Sequence, residues 1–175
     1  MSKKYTITKR TATVYKFRHE SGMYWADIVL DYEGSKGRIS ISSDYGAWQC
    51  FWAGATPDFL TFLSTLTMEY AADKFQADDW FDNEATVLKF KQMIISKRRK
   101  KTFSSKKARV MWDNFKEFED EENRGVFESE FYRSGLSDVF DYPEVVTTVV
   151  PQFKSFWENV WPVFIQQLKS ENLIS

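Results

Sequence analysis

The first third of the chain alternates between apolar and polar positions with a period of two. Between residues 5 and 18 the aromatic and isoleucine side chains fall on odd positions, and between residues 24 and 32 the apolar side chains fall on even ones. Glycine-containing turn signals at residues 19–22 and 33–37 separate these runs from a third run at residues 38–43. Such alternation, broken by tight turns, predicts an antiparallel β-meander of three to four strands with one face in solvent.

From residue 56 onward the apolar spacing becomes helical. Thr56-Pro57-Asp58 has the pattern of a helix start, with a hydroxyl N-cap, an early proline and an acid near the positive end of the helix dipole. The apolar stripe that follows runs as far as Tyr70. Further helices are predicted to begin at Asp82 and Ser104, and residues 123–143 are predicted to form short helical turns and loops.

The last helix is marked by large apolar residues at steps of three and four between residues 153 and 168. Pro162 interrupts this stripe and predicts a kink near residues 158–161, because proline has no N–H to donate. Together the patterns predict the α+β class and a single domain over residues 1–175. In it, an N-terminal β-meander at residues 1–54 packs against four or so C-terminal α-helices within residues 57–175.

The segment SDYGAWQCFWAG, residues 43–54, changes the parity of the apolar positions. They are odd before it, at residues 39 and 41, and even within it, at Trp48, Cys50 and Trp52. A β-bulge or tight bend at Asp44-Tyr45-Gly46 would return both sets to one face, with Gly46 permitting positive φ and Asp44 hydrogen-bonding the local backbone. We therefore predict that Trp48 and Trp52 face the core.

Two chemical interpretations of this segment follow. Cys50 falls on the inward parity, so we expect a buried, unreactive thiol rather than a nucleophile. Bulges are common beside functional sites, so the alternative that Asp44 and Tyr45 form the lip of a binding site stays open. The structural interpretation is favoured.

The run I-S-I-S-S-D-Y-G-A-W-x-x-x-W, followed by D-F-x-x-F-L and a short helix, resembles a group of small, uncharacterised proteins encoded by tailed bacteriophages. The resemblance covers residues 38–75. It implies a phage or prophage origin and action in the cytoplasm of a bacterial host, and it supplies no catalytic residues to transfer.

Composition narrows the classes of function. The chain has 18% aromatic residues and a net charge of −1, which argue against disorder and against a protein built mainly to coat nucleic acid. The single cysteine excludes an internal disulfide, and the single histidine, His19, excludes a multi-histidine metal site. Without a signal-peptide pattern or a long apolar run, we expect a cytoplasmic protein that does not enter a membrane.

The near-neutral total hides two blocks of opposite charge. The basic run, residues 97–109, holds Lys97, Arg98, Arg99, Lys100, Lys101, Lys106, Lys107 and Arg109, interrupted by Phe103. The acidic run holds Glu119, Asp120, Glu121 and Glu122 and is predicted to lie late in the helix that starts at Ser104. The helix dipole favours cations at a helix C-terminus and disfavours acids there. The predicted position of the acidic run therefore indicates that it is solvated or forms an interaction surface.

A second acidic group surrounds Trp80 in the sequence QADDWFDNE. Asp78, Asp79 and Asp82 could hold a divalent cation through oxygen ligands, but their spacing does not match an EF-hand. We favour a polar loop with Asp82 as a helix cap, and we expect no metal and no cofactor.

Three hypotheses of function follow, in order of preference. The first is a phage accessory protein that binds a host protein, such as a defence component, through the charged runs and the rings of Trp80 and Phe103. The second is a nucleic-acid-binding accessory protein that uses the basic run with help from Lys3, Lys4, Lys9 and Arg10. The third is an enzyme of unrecognised class built on Asp44 or the Asp78-Asp79-Asp82 group, although no catalytic motif is present. Whether the chain forms a homo-oligomer stays open.

Overall fold

The computed structural model describes residues 5–175, so Lys3 and Lys4 lie outside the described residues. The α+β class is confirmed. The chain forms two compact units: the first contains the residues up to Asp78 together with Val149–Ser175, and the second contains Asp79–Thr148. The expectation of a single domain stays a prediction.

Strands open the chain, and helices with two further short strands follow. The first unit opens with four strands: β1 (Thr13–Phe17), β2 (Ala26–Glu33), β3 (Lys36–Ser43) and β4 (Gly46–Trp52). Two helices follow, α1 (Phe59–Ser64) and α2 (Met68–Phe75). The second unit holds β5 (Trp80–Asp82), α3 (Asn83–Arg99), α4 (Ser105–Asn114), a 3-10 turn (Phe115–Phe118), α5 (Arg124–Arg133), α6 (Ser137–Phe140) and β6 (Val146–Thr148). The chain then returns to the first unit with α7 (Pro151–Asn159) and α8 (Trp161–Ser170).

The sheet of the first unit is an antiparallel meander in the order β1-β2-β3-β4. Its register places Ile28 opposite Ile41 and Leu30 opposite Ile39, and these side chains lie in the core on one face of the sheet. The first strand is shorter than the alternation predicts, because it begins only at Thr13 and residues 5–12 form no strand. The pairing starts at Thr13 opposite Leu30, although β2 continues to Glu33.

Of the two features predicted at residues 44–46, a β-bulge and a tight bend, the structure has a tight turn. Asp44 and Tyr45 form a two-residue turn between β3 and β4, with Ser43 paired to Gly46, so the chain reverses direction. Gly46 adopts a φ of +150°, as its position in the turn requires. The Asp44 carboxylate accepts a hydrogen bond from the Tyr24 N–H at 2.5 Å, so it holds the preceding loop rather than its own turn.

The side chains after this turn reach the core as the parity predicts. Trp48 pairs with Ile41 across the hairpin, and Trp48 and Trp52 pack in the same core as Ile41 and Ile39. Cys50 is half-buried rather than fully buried. Burial raises the pKa of its thiol, which favours the unreactive protonated form.

The first helical segment divides in two. The N-cap is Asp58, which accepts the N–H of Thr61 at 3.0 Å, whereas the sequence pattern favoured Thr56. Helix α1 ends where the hydroxyls of Ser64 and Thr65 donate to carbonyl groups one turn back, and α2 restarts with Thr67 as its cap. The predicted stripe through Tyr70 is therefore broken.

The kink predicted near residues 158–161 is a complete break between α7 and α8 at Val160. Pro162 lies in the first turn of α8, where a missing N–H costs least. The rings of Trp157 and Trp161 stack across the break with centroids 4.7 Å apart. Both helices bury phenylalanines against the sheet: Phe153, Phe156 and Phe164.

The core of the second unit is built on phenylalanines. Phe90 on α3 stacks on Phe115 with centroids 4.8 Å apart, and both are fully buried. Thr86 is the buried polar side chain of this region, and its hydroxyl donates to the Asp82 carbonyl and accepts from the Val146 N–H. Asp82 caps α3 through the N–H of Ala85 at 2.8 Å, which agrees with the sequence prediction.

Gly37 provides the first test of the packing. A Cβ added at Gly37 would lie 2.5 Å from Cγ of Phe59, whose ring is fully buried and cannot move aside. We expect Gly37→Ala to lower the free energy of unfolding by about 1–3 kcal/mol, as overpacking does. Gly54→Ala is the matched control, because a Cβ there meets nothing within 4 Å. Equal midpoints for the two variants in urea denaturation would contradict this packing.

Tyr15 provides a test by pH. Its hydroxyl donates to Glu171 Oε2 at 2.8 Å, and burial, followed by the hydrogen bond to and charge of Glu171, raises its pKa from 10.0 to about 12. The folded state holds this proton more tightly, so the stabilisation is complete below pH 10 and is lost as the pH rises towards 12. We expect Tyr15→Phe to lose less stability than the wild-type protein over that interval. Urea denaturation at both pH values measures this, and equal losses would contradict it.

Candidate functional site

The basic run occupies the end of α3, the connection at residues 100–104 and the start of α4. Lys101 adopts a left-handed conformation with φ of +60°, which turns the chain back. The Ser104 hydroxyl caps α4 by accepting the N–H of Lys107 at 3.1 Å. Arg98 Nη2 donates to the Ser105 hydroxyl at 2.8 Å and so links the two helices. These local interactions place α3 and α4 side by side.

Phe103 is a core residue and not an exposed anchor. It is 4% exposed and packs near Phe140, because the connection folds it into the core of the second unit. The ammonium of Lys97 lies 5.5 Å from the centre of its ring, and that of Lys107 lies 4.9 Å from it. Two cations of the basic run are therefore engaged with a structural ring, through an attraction typical of cation–π pairs.

A groove of about 430 Å³ lies between α3 and α4. Its floor is apolar and consists of Ile94, Ile95, Ala108 and Trp112. Its rim carries three guanidinium groups, those of Arg98, Arg99 and Arg109, and the Ser105 hydroxyl. The structure thus gathers three residues of the basic run around apolar side chains, and we call this feature the α3–α4 groove.

The α3–α4 groove is electropositive. Within residues 5–175, no acidic residue lines it and none of its three arginines has a carboxylate at ion-pair distance. Trp112 is half-buried, and the Lys91 ammonium lies 5.1 Å from the centre of its ring. The groove therefore offers an apolar contact with positive charge on its rim, and that charge is free to meet an acidic ligand.

The floor of the groove was missed by the sequence analysis, which concentrated on the charged residues. Ile95 is 39% exposed, although Ile94 beside it is buried. The adjacent pairs Val87-Leu88 and Ile94-Ile95 make the apolar arc of α3 wider than one buried face needs. This excess apolar width of α3 is the sequence signal that could have revealed the floor of the groove. The contribution of Ala108 and Trp112 depends on how α4 packs, which no local pattern reveals.

The other basic side chains lie outside the lining of the α3–α4 groove. Lys101 and Lys106 are exposed, and Lys100 is exposed on the neighbouring surface of α3. These three ammonium groups extend the positive surface beyond the rim without contacting the apolar floor.

The acidic run does not lie on a helix. Helix α4 ends at Asn114, the 3-10 turn ends at Phe118, and Glu119 to Glu122 follow, so the expected conflict with the helix dipole is absent. Asn83 Nδ2 holds this segment by donating to the carbonyls of Phe118 and Glu119. Glu119 pairs with Lys91, and Glu121 accepts the N–H of Asn123, while Asp120 and Glu122 are exposed. In the described chain, no ion pair joins this run to the basic run.

The group around Trp80 is dispersed among structural contacts. Trp80 is exposed on β5 and pairs with Thr148. Asp79 pairs with Arg124 at 3.3 Å, and Asp82 caps α3. Across residues 5–175 no group of three or more His, Cys, Asp or Glu side chains is placed to hold a metal ion. Asp44 is engaged with the Tyr24 N–H, and Tyr45 lines a cavity of the first unit.

Comparison with known proteins identifies the family of the chain. No curated protein matches the chain, and no solved structure matches it. Among the helices of the described residues, none is long and apolar enough to cross a membrane. The model of a phage family, Phage_phiTE_072, matches residues 5–170, which is nearly the whole chain. The chain therefore belongs to this phage family.

Proposed function

We propose that this phage protein is an accessory factor that binds a host protein in the bacterial cytoplasm, and that the α3–α4 groove is its contact surface. The observation that supports the proposal best is the combination of an apolar floor with three arginines on its rim, none of which forms an ion pair with a carboxylate of residues 5–175. Arginine and tryptophan are the residues that most often dominate the energy of protein contacts.

The partner we propose is a protein segment with apolar anchors flanked by acidic residues, in the form of an amphipathic helix. Two paired helices with a groove between them suit a third helix, whose apolar side chains enter the groove at spacings of three and four. Ile95 and Trp112 would contact these anchors, and Arg98, Arg99 and Arg109 would pair with the flanking carboxylates. Charge complementarity of this kind also speeds association and excludes basic partners.

Nucleic-acid binding is the second candidate. It is favoured by the exposed ammonium groups of Lys100, Lys101 and Lys106, which extend the positive surface beyond the groove. The burial of Phe103 and the half-burial of Trp112 weigh against it, because single-strand binding proteins expose rings for base stacking. An apolar floor is also of little use to a phosphate backbone.

Affinity capture from host lysate separates the two candidates. The full chain carries a tag, and the capture is performed with and without nuclease at two salt concentrations. We expect a host protein that is retained after nuclease treatment and is lost when Ile95 is changed to Asp, because the apolar floor then carries a charge. Recovery of nucleic acid that disappears at higher salt would instead support the second candidate, since phosphate binding releases counterions.

A further inference from the structure

A second cavity, of about 550 Å³, lies in the first unit at one end of the sheet. The end of β1, the loop after it, the β3–β4 turn and the α7–α8 junction enclose it. Arg18 lines it, and the junction contributes the Asn159 amide and the side chains of Val160 and Val163. Four aromatic rings complete the lining: Phe17, His19, Tyr24 and Tyr45. Its volume is within the range of cavities that hold small molecules.

The polar side chains in this lining are those of Arg18, His19, Tyr24, Tyr45 and Asn159. The Ser21 N–H donates to Nδ1 of His19 at 3.2 Å, so the proton of the neutral imidazole belongs on Nε2. The guanidinium of Arg18 likewise only donates, whereas the two tyrosine hydroxyls and the Asn159 amide both donate and accept. Among residues 5–175, no carboxylate lines the cavity, and Asp27, which pairs with Arg18, lies outside its lining. A ligand that contacts His19 Nε2 and the Arg18 guanidinium must therefore supply acceptors.

Arg18 is held in one position by its neighbours. Its Nη1 donates to the carbonyls of Phe17 and Ala26, at 2.7 and 3.2 Å. Its Nη2 lies 2.6 Å from Asp27 Oδ1, and its guanidinium lies 5.6 Å from the centre of the Trp25 ring. The group is thus preorganised at the edge of the cavity, with half of its side chain still exposed.

Tyr24 has an unfavourable backbone conformation, and burial of its side chain does not compensate for it. Its φ is +59°, a region that bulky residues rarely adopt, and the Asp44 carboxylate fixes it there through the Tyr24 N–H. Its ring is nonetheless 51% exposed and lies beside the rings of His19 and Tyr45, with centroids 5.6 and 6.3 Å away. Backbone strain that stability does not explain is concentrated at functional sites.

We infer that this cavity binds a planar heteroaromatic molecule that carries acceptor oxygens, the chemistry of a nucleoside monophosphate. The planar ring packs against Tyr24 and Tyr45, as bases do on aromatic side chains. The acceptor oxygens face His19 Nε2 and the Arg18 guanidinium. The inference is independent of the α3–α4 groove, because every residue it uses belongs to the first unit.

Isothermal titration calorimetry of the full chain tests the inference with adenosine monophosphate, uridine monophosphate, adenosine and ribose 5-phosphate. We expect both monophosphates to bind, adenosine to bind at least tenfold more weakly, and ribose 5-phosphate to show no binding because it lacks the ring. His19→Ala is expected to weaken binding of adenosine monophosphate at least tenfold. No binding of either monophosphate, or equal binding of ribose 5-phosphate, would overturn the inference.

Tyr24→Gly separates binding from folding. Glycine adopts a φ of +59° without strain, so this variant is expected to unfold at a temperature no lower than the wild-type protein while losing at least tenfold in affinity. Tyr132→Ala is the control, because Tyr132 is equally exposed but belongs to the second unit. A Tyr24→Gly protein that folds and binds adenosine monophosphate as tightly as the wild type would overturn the inference.

Discussion

Replacing Trp161 with alanine is expected to lower the free energy of unfolding by about 3–5 kcal/mol, as large-to-small changes in a core do. Trp161 is 4% exposed, stacks on Trp157 and contacts Phe164, with ring centroids 5.3 Å apart. The change would remove the ring that joins α7 to α8 across their break. Urea denaturation measures the loss.

Two further variants calibrate this result. Trp157 is only half-buried, so Trp157→Ala is expected to cost less than Trp161→Ala. Val163 is exposed on the same helix, and Val163→Ala is expected to change stability by no more than about 0.5 kcal/mol. An unfolding midpoint for Trp161→Ala that equals that of Val163→Ala would show that the tryptophan does not support the core.

Reversing the charge of Arg98 and Arg99 is expected to weaken binding of the host protein by about 100-fold, the equivalent of about 2.7 kcal/mol. Both guanidinium groups lie on the rim of the α3–α4 groove. In the variant Arg98→Glu/Arg99→Glu, two carboxylates would face the acidic residues of the proposed partner, and like charges across an interface repel. Titration of the captured partner measures the change.

The matched control is Lys101→Glu/Lys106→Glu. It alters the net charge by the same amount at the same end of the two helices, but both lysines are exposed outside the lining of the groove. We expect less than a tenfold loss. Equal losses in the two double variants would mean that the overall positive charge, rather than the groove, attracts the ligand, as for nucleic acid.

Local patterns in the sequence predict much of the fold. Alternation with a period of two identifies the meander, because a strand with one buried face requires it. Asp82 identifies the start of α3, because its carboxylate accepts an N–H of the first helical turn. The parity change at residues 44–46 predicted either a bulge or a tight bend. The structure has a tight turn there, which reverses the chain, and parity alone does not distinguish a turn from a bulge.

The candidate site depends on tertiary packing and was predicted only in part. Arg98, Arg99 and Arg109 were candidates from charge alone, and the structure brings them together on one groove. Phe103 lies in a highly charged run, and its burial depends on Phe140, which is remote in the chain. Residues such as Ile95 and Trp112 become a binding floor only when α3 and α4 are paired, and no spacing along one helix reveals that pairing.

Site-specific photo-crosslinking tests the proposed contact surface most directly. A photo-crosslinking amino acid replaces either Ile95, in the floor of the groove, or Val126, which has a similar exposure of 43% on α5. After irradiation in the host cell, we expect a covalent adduct with one host protein from position 95 and none from position 126. Adducts of equal yield from both positions, or from position 126 alone, would contradict the assignment of the α3–α4 groove as the binding surface.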